Sequence, residues 1–348
     1  MNGWLRMALG TALALALVIS ARAADPEALA AAAKQEGQIV TYGCPADWAG
    51  YGAVAEMLQK KIGLSHTDTQ MPSMDEITRM AAEKDKPVAD IADIGLQFGP
   101  IAQDKQVLLA FRHSKWDEIP AWAKDANGLY SATYSGAMAF LVDTKTVKNV
   151  PRSWKDLLKP EYKGMVTLQD PRAAANGQFA VIAAAFANGG SEDSLTPGIN
   201  YFAQLQKSGN LNTAALPDKD TLLKGQSGVA LLWDFQGLAW KKSVPGLEVL
   251  IHSDGSTFGP YATVINKYSR HPNAARLWIE TVLSDEGQIA FARSGARPIR
   301  KVTLPPDVQA GLLPEAQYAV VKPIANWKNM ESICKKLAER WTVEVLGK

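Results

Sequence analysis

Cys44 is the one side chain in this sequence set where a nucleophile would be useful. It lies in the turn after the apolar run Ile39 to Tyr42, the place where an α/β sheet presents groups to a ligand. A thiol attacks as its thiolate and needs a base or a cation beside it. The four histidines, His66, His113, His252 and His271, supply no such neighbour in sequence, and no two of them have the spacing of metal ligands. Gly225-Gln226-Ser227-Gly228 falls short of a G-x-S-x-G element, and Ser332 with Lys335 has no companion motif. A phosphate-cradling G-x-x-x-x-G-K-[ST] is absent. Binding is favoured over catalysis, no metal or cofactor is expected, and an exported enzyme using Cys44 is the alternative from a different class.

Binding groups are better represented. Aromatic, acidic and amide residues stand just beyond the expected strand ends, where a cleft would be lined. They are Cys44, Asp47 and Trp48; Asp93 and Gln97; Tyr134 and Ser135; Asp170, Arg172 and Asn176; Trp233 and Asp234; and Tyr261. Ring faces and a carboxylate attract an ammonium group, which makes Trp233 and Asp234 the leading pair. Alternation along a strand points those two in opposite directions, so one of them reaches a ligand. Arg172 and Asn176 at a helix start favour a phosphate, phosphonate or carboxylate instead. Plainer roles compete throughout: Trp48 can cover a helix, Asp93 can cap a turn, and Asp170-Pro171 opens turns in any fold.

The elements that must hold these groups begin behind a leader. Arg6, the uncharged run Met7 to Ile19 and Ala21-Arg22-Ala23 read as a cleaved secretion signal over 1–23, with no lipid-accepting cysteine after it. At 348 residues the chain is too long for one ordinary core and suits two domains. The formal charge of +2 includes Arg6 and Arg22, so the processed chain is near neutral and recommends neither nucleic acid nor a membrane surface as partner. Two cysteines, Cys44 and Cys334, leave one disulfide open as a question of geometry. Asp25, Pro26 and Gly37 bracket a helix, Ile39 to Tyr42 is a strand, and Val54, Met57, Leu58 and Ile62 share a helix face. Ser73 and Glu76 read as a capping box for the helix carrying Ile77 and Met80. Further strands are expected over 89–95, 137–142, 165–168, 229–233 and 262–265, with helices over 179–187, 272–291 and 329–345. The alternation of strand and helix implies an α/β fold with a mainly parallel sheet. No flexible linker is evident, so strands are expected to join the lobes.

Three stretches carry a resemblance. The first is Ser153-Trp154-Lys155-Asp156-Leu157-Leu158 through Pro160 and Tyr162-Lys163-Gly164 to Met165-Val166-Thr167. The second is Asn273-Ala274-Ala275-Arg276-Leu277-Trp278-Ile279 with Leu283-Ser284-Asp285-Glu286-Gly287-Gln288, and the third is Gly295-Ala296-Arg297-Pro298-Ile299. In order and spacing the chain resembles the bacterial periplasmic solute-binding proteins of importers for iron, polyamines, thiamine and phosphonates. The resemblance implies a type II two-lobed fold, each lobe a mainly parallel sheet flanked by helices, with a strand hinge. Lobe I is expected over 24–135 and 262–300, and lobe II over 136–261 and 301–348. The crossings are expected near Tyr134 to Ala139 and Gly255 to Ala262. It also implies a periplasmic monomer that hands its solute to an ABC transporter permease. Ferric members of that family use adjacent tyrosines after the strand that here reads Leu231-Leu232-Trp233-Asp234-Phe235, where no tyrosine stands. An amine-bearing solute therefore ranks first, an organophosphorus anion or aminophosphonate second, and iron third.

Overall fold

The computed structural model describes residues 26–348; the expected leader and the Asp25 cap lie outside them. Helix α1 (Pro26–Glu36) has Pro26 at its start and ends at Gly37, whose φ of 73° is readily reached by a residue without a β-carbon. Strand β1 (Gln38–Tyr42) follows, then α2 (Tyr51–Ile62), which buries Tyr51, Val54 and Leu58 on one face. Next come β2 (Ser65–Thr69), α3 (Ser73–Ala82), the fully buried β3 (Ile91–Gly95) and α4 (Gly99–Asp104). The long β4 (Ala132–Asp143) leads to β5 (Val166–Thr167) through a short turn of helix at Trp154–Leu158. Ser153 and Asp156 close a reciprocal capping box on that turn.

Helix α5 (Ala175–Ala187) is apolar all round, and every residue from Ala175 to Phe186 is buried, as a helix in the middle of a core should be. The remaining strands are β6 (Val229–Trp233), β7 (Leu247–Leu250), β8 (Ser256–Ile265), β9 (Arg297–Pro298) and β10 (Val321–Lys322). Helices Pro272–Leu283 and Asp285–Arg293 pack beside α1 and α2, and Met330–Arg340 runs near the C-terminus.

The strand order is β2-β1-β3-β8-β4-β6-β5, with β7 and β9 on β4 and β10 on β8. Pairs β1–β2, β1–β3 and β5–β6 are parallel, as helical crossovers require. The middle is antiparallel: β8 runs against β3 and β4, and β4 runs against β6 and β7. The sheet is thus more mixed than the strand–helix rhythm suggests, because β4 and β8 are long strands that return through the molecule.

Both expected crossing segments fall on these two strands. Tyr134 pairs with Tyr261, Ser135 with Pro260, Gly136 with Gly259 and Ala137 with Phe258. The first half of β4 pairs with β8 and β9, and its second half with β6 and β7, so one strand ties two sheet regions together. Trp233 pins this junction. Its ring lies over Gly259, where an added methyl would overlap the indole, so only a bare backbone fits.

One expectation fails here, and one strand was not expected. Ser73 and Glu76 do not cap α3; Pro72 holds that position, and both side chains are buried on the inner face of the helix with Ile77 and Met80. β2 went unrecognised because Ser-His-Thr-Asp-Thr has no apolar residue; it is an edge strand whose residues alternate between exposed and half-buried.

Candidate functional site

The loops after β1, β2 and β3 meet the start of α5 around a small polar cavity of about 20 Å³ that is partly open to solvent. Gly43, Trp48, Gln70, Ser73, Glu76 and Asp93 line one side; Gln169, Ala174, Ala175 and Asn176 line the other, and Tyr261 closes the base. The two sides are in contact. Gln97 Nε2 donates to Gln178 Oε1 at 2.8 Å, and Met74 N donates to Ala173 O at 3.4 Å. A β-carbon at Gly95 would come within 2.6 Å of the Ala175 methyl, so the end of β3 can approach α5 this closely only as glycine.

Asp93 is the electrostatic centre. Its Oδ2 accepts from the Tyr134 hydroxyl at 2.5 Å and from Trp48 Nε1 at 3.2 Å, and Trp48 Nε1 also donates to the Tyr134 oxygen at 2.6 Å. Its Oδ1 is buried with no partner at hydrogen-bond distance, although the Tyr51 hydroxyl lies beside the carboxylate and helps to lower it, and Glu76 Oε2 is likewise buried without a partner. Burial pushes the Asp93 carboxyl up to about 8, against the lowering effect of Tyr134. Burial likewise raises Glu76 well above the usual carboxylate range, and the nearby Asp93 and Asp68 raise it further. Two buried carboxyl groups with a free oxygen each are costly unless a cation or a proton satisfies them.

The opposite wall has the reverse character. α5 points its N-terminus at the cavity, and its cap residue, Ala174, supplies no side-chain acceptor. The first N–H groups of a helix have no partner within it and carry the positive end of its dipole. The start of α3, at Pro72 and Ser73, borders the same space. One small cavity therefore combines acceptors for a cation with donors for an anion.

The residues singled out in the sequence separate into groups. Trp48, Asp93, Asn176 and Tyr261 line the cavity, and Tyr134 stands behind Asp93. Gln97 forms the bridge to Gln178 at its margin. Cys44 is buried below, with its amide donating to Asp68 and its thiol raised well above the ordinary value by burial and by Asp93, the opposite of activation. Cys44 and Cys334 are both free, so there is no disulfide between them.

Others point elsewhere. Asp47 is exposed on its turn. Ser135 faces away from Tyr134 by strand alternation and lines a different cavity behind the sheet. Asp170 and Arg172 pair with each other, at 2.6 Å between Oδ2 and Nη2, in an exposed turn. Trp233 is fully buried and donates to the Tyr261 hydroxyl at 3.1 Å. Asp234 is also fully buried, and it accepts from Ala137 N, Phe235 N and the Tyr318 hydroxyl. The Trp233–Asp234 pair thus braces the strand junction, and the carboxylates at the cavity are Asp93 and Glu76.

Sequence reasoning missed Glu76 and the Gln70 to Ser73 segment. The signal was present: an acid on the apolar face of α3, one residue from Ile77 and four from Met80, is out of place in a purely structural helix. Among the described residues no group of His, Cys, Asp and Glu could hold a metal ion, and no helix is long and apolar enough to cross a membrane.

Comparison with known proteins gives the family and the fold. Residues 86–325 match the model of the bacterial extracellular solute-binding protein family. A Salmonella typhimurium periplasmic protein named for 2-aminoethylphosphonate binding is 28% identical over 278 residues, 76% of this chain and 78% of that protein. The periplasmic binding protein AfuA of Actinobacillus pleuropneumoniae, solved with fructose-6-phosphate, superposes with a TM-score of 0.73 at 21% identity, covering 89% of this chain and 99% of that one. A periplasmic thiamin-binding protein does so with a TM-score of 0.69 at 16% identity, over 88% and 96% of the two chains. The fold is that of the two-lobed type II periplasmic binding proteins. The chain belongs to the bacterial extracellular solute-binding protein family, and it is a solute receptor by class.

Proposed function

We propose that this chain is the periplasmic receptor of an ABC importer and that its solute is a small aminophosphonate, 2-aminoethylphosphonate or a close relative. One observation carries the reading: the unpartnered oxygens of Asp93 and Glu76 and the N-terminus of α5, where only the Gly177 N–H is met by a side chain, that of Asn176, border one polar cavity. An ammonium group satisfies the two carboxylates, and a phosphonate takes the helix N-terminus. Trp48 and Tyr261 flank the short chain between them. The name of the Salmonella relative fits the same chemistry. The site offers a cationic solute no second acidic end.

In this reading the lobes are those expected from the sequence, 24–135 with 262–300 and 136–261 with 301–348, joined by β4 and β8. The Gln97–Gln178 bond and the Gly95–Ala175 approach then belong to a closed state, which a solute touching both lobes favours. A closed monomer presenting both lobes is what a permease would receive. Thermal unfolding with added solutes tests the proposal: 2-aminoethylphosphonate raises the midpoint strongly. An equal rise with ethylphosphonate, or a larger one with putrescine or ferric citrate, refutes it.

A further inference from the structure

Behind the strand junction lies a second cavity, of about 320 Å³ and partly open, lined by Trp122, Ser135, Phe258, Arg297, Ile324 and Trp327 among others. β4, β8 and β9 supply its floor through Ser135, Phe258 and Arg297. Since Tyr134 serves the solute cavity and Ser135 this one, the two sites lie on opposite faces of β4.

Its chemistry is specific. Trp122 and Trp327 stack with centroids 5.4 Å apart and planes 15° from parallel, yet Trp122 remains 50% exposed. A large aromatic left in water beside a cavity marks a surface that gains by being covered. Arg297 is the one charged residue among the lining groups. Its guanidinium lies 3.5 Å from the Tyr318 ring centroid and 5.4 Å from that of Phe258, a stacked arrangement that holds the plane in place. Nε is buried without a hydrogen-bond partner, Nη2 lies 3.7 Å from Glu315, whose side chain is 89% exposed, and the guanidinium also acts on the Tyr318 hydroxyl and, more weakly, on the buried Asp234 carboxylate. A preorganised guanidinium with only a long, exposed ion pair, set in an aromatic and proline-rich wall, selects a planar anion.

We propose that this cavity is a second ligand site, for a planar aromatic carboxylate whose ring lies against Trp122 and Trp327 and whose carboxylate pairs with Arg297. The solute cavity is built for the opposite kind of molecule, small, aliphatic and zwitterionic, so the two sites do not share ligands. Arg297 and Pro298 also stand in the Gly295 to Ile299 stretch singled out in the sequence, which the solute site leaves unused.

Calorimetric titration with 2-naphthoate, and with uncharged 2-naphthamide as control, tests this on the processed chain. The expected result is saturable one-site binding of 2-naphthoate with a dissociation constant of about 1 mM or lower. Arg297→Met weakens 2-naphthoate about tenfold or more and leaves the amide little changed. The exposed Trp122→Ala weakens both and leaves the unfolding midpoint in place, which separates lost binding from lost folding. Asp93→Asn and saturating 2-aminoethylphosphonate leave 2-naphthoate bound. Absence of saturable binding, binding indifferent to both cavity variants, or displacement by the aminophosphonate each overturns the proposal. So does a dimer that Trp122→Ala dissolves, since the face would then be an interface between copies of this chain.

Discussion

Replacing Asp93 by asparagine changes one atom at the centre of the site, and the structure fixes how that atom is oriented. Tyr134 and Trp48 both donate to Oδ2. The asparagine amide oxygen must stay there, which turns its NH2 group to the position of the unpartnered Oδ1. An acceptor with negative charge becomes a donor facing the ammonium of the solute. A hydrogen bond to a charged group contributes about 1.5–3 kcal/mol, which is roughly a 10- to 150-fold loss of affinity. Isothermal calorimetry with 2-aminoethylphosphonate and ethylphosphonate reads this directly. The aminated solute loses affinity by that factor, and the preference for it over ethylphosphonate collapses. Equal losses for the two ligands would mean a general distortion of the site. Unchanged affinity would mean that Asp93 does not hold the amine, and the orientation argued here would be wrong.

The same carboxyl sets a pH dependence. Its value of about 8 in the folded protein lies above the ordinary carboxylate value, so the folded state holds the extra proton. Stability of the ligand-free protein falls as pH rises from about 4 to 8, and Asp93→Asn flattens that fall in thermal melts. An ammonium replaces the proton, so calorimetry in buffers of different ionisation heat near neutral pH finds about one proton released per solute bound. Gly95→Val meets the Ala175 methyl across the cleft and the movable Gln97 amide in its own lobe, while φ at Gly95 is −55° and suits any residue. Its unfolding midpoint stays near that of the parent, solute affinity drops at least about tenfold, and small-angle scattering shows a larger radius. Asp234→Asn leaves solute affinity unchanged, since Asp234 faces Tyr318, and lowers stability by about 1–3 kcal/mol in urea unfolding.

Much of the scaffold was legible because it is written in local chemistry. Pro26 and Gly37 bracket α1, Ser153 and Asp156 form a capping box, and the apolar runs at β1, β3 and β6 are buried strands. The long strands β4 and β8 were located by their segments, but their antiparallel pairing is a long-range fact that no local pattern encodes. The site was legible only in part. Rules about strand ends found Trp48, Asp93, Asn176 and Tyr261, because each follows or lies on a strand whose position was clear. They missed Glu76 because β2 has no apolar signature, so the loop leading into α3 was never placed at the cleft. They misdirected Asp234 because its partner Tyr318 lies 84 residues away. Trp233 and Asp234 looked like a cation site from type and adjacency alone, and the burial that decides the matter is a property of the packed chain.

The most direct test of the central claim is the crystal structure of the complex with 2-aminoethylphosphonate. The ammonium nitrogen is expected about 3 Å from Asp93 Oδ1 and Glu76 Oε2, with phosphonate oxygens at the backbone N–H groups that open α5. A solute bound in the reverse sense, or one lying outside the space between Trp48, Tyr261 and Asn176, would contradict it.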